Sequence, residues 1–96
     1  MKKRILTGIT TTGTPHIGNY IGAIKPSINL AQESSESFFF LADYHALIKT
    51  TDSQSIRASV NDIALAWLSS GLDTNTSFFY RQSDIKEITE LSWILT

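Results

Sequence analysis

The chain contains no cysteine, which excludes a disulfide framework and any cysteine-ligated metal and leaves the redox compartment open. It has no excess of either charge. Eight basic and nine acidic side chains give a net charge of −1, so composition carries no footprint for nucleic acid or a membrane surface, and an RNA partner would dock mostly elsewhere. No apolar run approaches the ~18 residues needed to cross a bilayer. The opening MKKRIL has the positive start of a secretory signal, but Thr7, Gly8, Thr10, Thr11, Thr12 and Pro15 interrupt the apolar stretch such a signal requires. The cytoplasm is the expected location. At 96 residues, 42% of them hydrophobic, the chain holds at most one globular domain. A chain of this size buries only about 60–70% of its unfolded surface.

What is present alternates between two apolar periods. RILTGI (Arg4–Ile9) is a short β-type run ending at glycine-rich sequence. From about His16 to Gln32 the apolar residues Ile17, Ile21, Ile24, Ile28 and Ala31 recur at helical spacing. Pro26 interrupts them, which predicts either a kink or two helical pieces. SFFFLAD (Ser37–Asp43) is a continuous apolar run, as expected of a strand covered on both faces. SQSIRASVNDIALAWLSSG follows, with Ile56, Val60, Ile63, Ala64, Trp67 and Leu68 on one stripe. Asp52 or Ser53 suits its N-cap, and Gly71 its C-terminal stop. TSFFYRQ (Thr76–Gln82) is a third strand. In the closing SDIKEITELSWILT, Asp84 and Glu87 suit a capping box, and Ile85, Ile88, Leu91 and Ile94 or Leu95 share a face.

The order β-α-β-α-β-α implies an α/β fold with a Rossmann-like parallel sheet, whose crossovers are right-handed. Such sheets bind ligands beyond the carboxyl ends of their strands. Those ends are residues 8–12, 43–45 and 81–83. The stretch TGITTTGTPHIGNY (Thr7–Tyr20) therefore lies on the ligand side, with glycines at 8, 13 and 18. It is not a Walker loop, because Asn19 and Tyr20 follow Gly18 where lysine and serine or threonine are needed. Nor is it a dinucleotide fingerprint, whose glycines are closer together. What remains is a strand, a turn of three threonines and a helix N-terminus behind Pro15, a place that suits phosphate. Gly18 would let a flat ring lie on the backbone, and His16 and Asn19, three apart, share one side of the first helical turn.

PHIGN resembles the HIGH signature of the class I aminoacyl-tRNA synthetases, with Asn19 in place of the second histidine. LTGITTTGTPHIGNYIGAI is similar to the form of that signature in the tryptophanyl-tRNA synthetase family. FFFLADYHALI and FFYRQSDIKEITELSWILT resemble the family's second strand, with its Asp-x-His-Ala end, and its third strand and following helix. The resemblance covers essentially all 96 residues, in order. It implies a homodimer that uses ATP and Mg²⁺ to join tryptophan to its tRNA through a tryptophanyl-adenylate. Reactions of this kind depend mainly on positioning and charge stabilisation.

Carried onto this chain, the resemblance implies that Thr10, Thr11, Thr12, His16, Gly18 and Asn19 contact ATP. His16 and Asn19 would donate to phosphate oxygens as charge develops. Leu6, Gly8, Ala42, Asp43 and His45 would line the tryptophan pocket. The family's Gln-Pro-Ser is replaced here by Thr10-Thr11-Thr12, which removes a glutamine contact at Thr10. The family's second signature, a KMSKS-like phosphate clamp, is absent from these residues, as are the groups that would read the indole. Residues 1–96 are accordingly expected to be the N-terminal part of a catalytic domain, without the remainder and without an anticodon-binding domain, and inactive alone.

The other residues have plainer readings. Asp43 could simply open the turn after its strand, and His45 could cap local backbone. Trp67 belongs to the core stripe. Trp93 lies off the stripe of its helix and is set toward a partner subunit or a segment beyond residue 96. Lys2, Lys3 and Arg4 read as a solvated start, with tRNA contact the alternative. Two competing functions remain at this level. One is a tyrosyl-tRNA synthetase or other nucleotidyltransferase with a HIGH-like loop, and the other is a non-catalytic nucleotide-binding module.

Overall fold

The computed structural model describes residues 3–11, 20–33 and 36–96. Three strands, β1 (Arg4–Ile9), β2 (Glu36–Leu41) and β3 (Ser77–Arg81), form a parallel sheet in the order β1-β2-β3. The helices are α1 (Lys25–Gln32), α2 (Asp43–Ala46), α3 (Ser53–Ser69) and α4 (Lys86–Leu95). A π-helical turn, Tyr20–Ile24, leads into α1, and a 3₁₀ turn, Gln82–Asp84, follows β3.

The register sorts the side chains into two faces. Thr7 lies level with Phe39 and Phe39 with Phe79, while Gly8 lies level with Phe40 and Phe40 with Tyr80. Because direction alternates along a strand, Ile9, Phe39 and Leu41 join one core with Ile24 and Ile28 from the first helical segment and Ile56, Val60, Ile63 and Trp67 from α3. Phe39 has no exposed surface and meets Trp67 with ring centroids 5.6 Å apart. The opposite face carries Leu6, Gly8, Phe38, Phe40, Phe78 and Tyr80. There Phe38 stacks on Phe78 at 4.9 Å, yet Leu6 and Phe78 stay 67% and 57% exposed.

The expectation at Pro26 resolves as two pieces. The proline stands in the first turn of α1, where its missing N–H costs nothing. The preceding residues wind as a wider π turn, so no α-type hydrogen bond to the proline nitrogen is required. The strands are shorter than the apolar runs. Ala42 leaves β2 by donating its N–H to the Ile9 carbonyl at 2.9 Å, and Asp43 opens the one-turn α2. Gln82 likewise belongs to the 3₁₀ turn and not to β3.

On α3 the expected stripe holds for Ile56, Val60, Ile63 and Trp67, whereas Leu68, at its margin, is 43% exposed. On α4 no residue is buried, and Leu91, Ile94 and Leu95 are exposed. The capping box expected there is also different. Ile85 is the N-cap, and Asp84 turns back to Arg81, accepting from its backbone N–H at 3.0 Å and its guanidinium at 2.6 and 3.1 Å. That guanidinium bond, with the backbone bond behind it, holds the Asp84 carboxyl below the usual carboxylate range. Among the described residues no helix is long and apolar enough to cross a membrane.

Both ends of α3 are chemically specified. At its C-terminus Gly71 has φ +106°. Gly71 donates to the Leu68 carbonyl at 3.2 Å and Leu72 to the Trp67 carbonyl at 3.3 Å, the two bonds of a Schellman motif, and Leu72 is buried against the core. Gly71→Ala should cost about 1–2 kcal/mol, because a Cβ is strained at left-handed φ. A thermal melt should show a drop of about 4–8 °C per kcal/mol. An unchanged midpoint would mean that the turn re-forms without the glycine.

At the N-terminus Asp52 is the cap, accepting from Gln54 N–H at 3.1 Å and the Ser55 hydroxyl at 2.7 Å. The Ser55 hydroxyl, then the Gln54 N–H, hold its carboxyl below the ordinary value. A carboxyl depressed in the folded state stabilises fully above its unfolded pKa and loses that contribution as pH falls through the folded one. The melting-temperature gap between the parent chain and Asp52→Ala should therefore be open at neutral pH and close on acidification through the carboxylate range. A pH-independent gap would exclude this source of stability.

Candidate functional site

The sheet ends on one edge with three polar straps, each supplied by residues just past a strand. Thr11, 1% exposed, donates its hydroxyl to the Ala42 carbonyl at 3.1 Å and ties the end of β1 to that of β2. Asp43 ties β2 to β3. One carboxylate oxygen accepts from Ser83 N–H at 3.0 Å and from Tyr44 N–H at 3.0 Å, and the other accepts from the Ser83 hydroxyl. Gln82, 6% exposed, meets His45: its Oε1 lies 3.3 Å from the His45 backbone N and 3.1 Å from Nδ1, and its Nε2 lies 3.0 Å from Nδ1. These straps answer local needs as well, since carbonyls and amides freed where strands end must find partners.

Above the straps between β1 and β2 lies a cavity of about 350 Å³, lined by Gly8, Thr10, Thr11, Phe40, Ala42, His45, Ala46 and Lys49. Its lining is mostly apolar, and the Thr10 hydroxyl, the His45 imidazole and the Lys49 ammonium add groups that donate to anionic oxygens. The structure thus gathers Gly8, Thr10, Thr11, Ala42 and His45 of the residues singled out from sequence. Leu6 does not line this cavity; it stands on the open sheet face level with Phe38. Asp43 does not line it either, and its oxygens are engaged by Ser83 and Tyr44. Thr12, His16, Gly18 and Asn19 lie outside the described residues.

Four participants were not singled out from sequence. Phe40 reads as strand core but turns to the other face and covers Gly8. Lys49 has no sequence signal of its own, because no spacing rule connects it to the strand end. Gln82 and Ser83 read as the end of a strand, and only the folded sheet brings them 37 and 40 residues back to His45 and Asp43. The alternation of side-chain direction along β2 could have indicated Phe40; nothing local marks the other three.

Gly8 answers in part why glycine is needed here. A Cβ on it would sit 2.8 Å from Phe40 Cζ, inside van der Waals contact. Gly8→Ala should therefore push the Phe40 ring toward the cavity and cost about 1–3 kcal/mol of overpacking. Adding Phe40→Leu should recover part of that loss in the same thermal melts, a non-additivity expected of touching residues. Strict additivity would mean that the two do not compete for this space.

The sequence model of one family, tRNA synthetases class I (W and Y), matches residues 1–96. The chain is 56% identical over 96 residues to the Tryptophan--tRNA ligase of Neisseria meningitidis serogroup A, covering 99% of this chain and 29% of that relative. It is 60% identical over 97 residues to the Tryptophan--tRNA ligase of Pseudomonas aeruginosa, covering 100% and 22% respectively. The fold superposes on the crystal structure of tryptophanyl-tRNA synthetase from Campylobacter jejuni with a TM-score of 0.91 at 42% identity, over 99% of this chain and 30% of that one. For the same organism's enzyme complexed with ADP and tryptophan the TM-score is 0.89 at 43% identity, over 96% and 28%. The chain thus spans less than a third of the length of these relatives.

Proposed function

The chain belongs to the class I tRNA synthetases of the W and Y group, and on that footing we propose that it forms the ATP- and tryptophan-binding part of a tryptophan–tRNA ligase. The observation that carries the reading is the convergence of Gly8, Thr10, Ala42 and His45 on one cavity at the carboxyl edge of a parallel sheet. That edge is where folds of this kind take ligands. The relatives that match the whole chain are named for tryptophan, and a matching structure holds ADP and tryptophan together.

In this reading residues 1–96 are the N-terminal part of the nucleotide-binding catalytic domain. Thr10, His16, Gly18 and Asn19 receive ATP, and Thr12 joins them. Thr11 contributes by fixing the strand ends, since its hydroxyl is given to Ala42. Gly8, Ala42 and His45 bound the amino-acid side, with Leu6 at its outer edge, and Asp43 holds the wall by bracing Ser83. The donors present fit a substrate rich in anionic oxygen, and Mg²⁺ bound to ATP would supply screening of the phosphate charge there.

The chemistry asked of this chain is positioning. The tryptophan carboxylate attacks the α-phosphorus, the bond to pyrophosphate breaks, and an aminoacyl-adenylate is left for transfer to the 3′ end of tRNA. His16 and Asn19 donate to the phosphate oxygens on which charge accumulates. The enzyme works as a homodimer in the cytoplasm and takes up tRNA mainly through surfaces beyond these residues.

ATP–pyrophosphate exchange by the full-length protein tests the reading. Exchange should depend on tryptophan and not on tyrosine. His16→Ala should lower kcat by about 10²–10³-fold, the usual effect of removing one donor to a developing oxyanion, with the melting midpoint retained. Tyrosine-dependent exchange would assign the chain to the other branch, and exchange with neither amino acid would leave a nucleotide-binding module.

A further inference from the structure

Gln82 is buried, 37 residues away in sequence from the histidine it holds, and has no place in the chemistry just described. Its amide orientation is fixed by one unambiguous neighbour. The His45 backbone N–H is a donor, so the atom 3.3 Å from it must be the amide oxygen. That leaves the amide nitrogen 3.0 Å from His45 Nδ1.

Two proton arrangements fit the ring. In one, Nδ1–H donates to Oε1, which then accepts twice, and the NH₂ of Gln82, a buried residue, finds no acceptor among the described residues. In the other, Oε1 accepts the backbone N–H, and Nε2 of Gln82 donates to a bare Nδ1. Among the described residues, only the second gives both amide atoms of Gln82 and the Nδ1 of His45 a partner of matching role. A bare Nδ1 puts the proton on the far nitrogen, Nε2, of a ring that lines the cavity shared with Gly8, Thr10 and Lys49.

We propose that Gln82 is a positioning residue: through both of its amide atoms it holds His45 as the Nε2–H tautomer, so that neutral histidine presents an N–H donor to an anionic oxygen of the substrate. That oxygen belongs to the tryptophan carboxylate or to an ATP phosphate. The proposal deepens the function proposed above and rests on it for the identity of the ligand, but not for the tautomer.

Two variants of the full-length protein separate a positioning role from a packing role. Gln82→Met keeps the volume and removes both hydrogen bonds. Gln82→Glu keeps an acceptor for the backbone N–H but offers Nδ1 only an acceptor, so at alkaline pH it draws the ring proton to Nδ1. Protein labelled with ¹⁵N-histidine, with the His45 signals assigned by their loss in His45→Ala, should show Nδ1 unprotonated and Nε2 protonated in the parent at alkaline pH. In Gln82→Glu the pattern should reverse. In exchange assays each variant should raise one Michaelis constant roughly ten- to hundredfold, the usual effect of losing a hydrogen bond to a charged group. A rise for tryptophan assigns the oxygen to the carboxylate, and a rise for ATP assigns it to phosphate. An Nδ1–H parent, a tautomer indifferent to Gln82→Glu, or unchanged Michaelis constants in a folded Gln82→Met would each overturn the proposal. If the parent protein shows no exchange at all, the proposed function falls while the tautomer experiment still reads the role of Gln82.

Discussion

Phe39 is the constraint on which the rest of the arrangement depends. It sits in the middle strand, level with Thr7 on one side and Phe79 on the other, and is fully enclosed beneath Trp67. A slip of β2 by one residue would turn Phe39 outward and bring Phe38 and Phe40 under α3. It would also move Ala42, Asp43 and His45 by about 3.3 Å relative to the ends of β1 and β3. The geometry of the ligand edge is therefore set first by an apolar side chain well inside the sheet.

Polar chemistry then refines what packing has aligned. Thr11 with Ala42, Asp43 with Ser83 and His45 with Gln82 are three links between neighbouring strand ends. Each spends a side chain that a reading of the site from sequence would assign to a ligand, or would not notice. A cavity built this way has walls that hold their places before any ligand arrives, the condition for catalysis by positioning. Among the described residues, the groups left free at its lining are correspondingly few: the Thr10 hydroxyl, the outer nitrogen of His45 and the Lys49 ammonium.

Local chemistry made much of this legible in the sequence. The alternation of apolar periods located three strands and the long helix α3, Asp52 and Gly71 marked its ends, and Trp67 declared itself core by spacing. Gly8, Thr10, Thr11 and His45 fall within strand ends that a parallel sheet must bring to one edge, while Ala42 and the roles of all five came from the family resemblance. What was not legible depends on partners far away in sequence. Asp43 reads as a turn former or a ligand contact until Ser83 appears beside it, and Gln82 reads as the last residue of a strand. The last helix shows the limit of spacing: Ile88, Leu91 and Leu95 share a face as read, but spacing records only which residues would be buried together, not whether something lies against them. Asp84 obeyed the nearest strong charge, Arg81, instead of the helix that followed.

The two tryptophans occupy opposite extremes, and that has a practical consequence. Trp67 is 4% exposed against Phe39, whereas Trp93 is 83% exposed on α4. Their emission should separate into a blue component shielded from aqueous quenchers and a red component open to them. Loss of the core would shift the first and leave the second nearly where it began. The protein thus carries an optical gauge of its own interior, with an internal reference that already reports water.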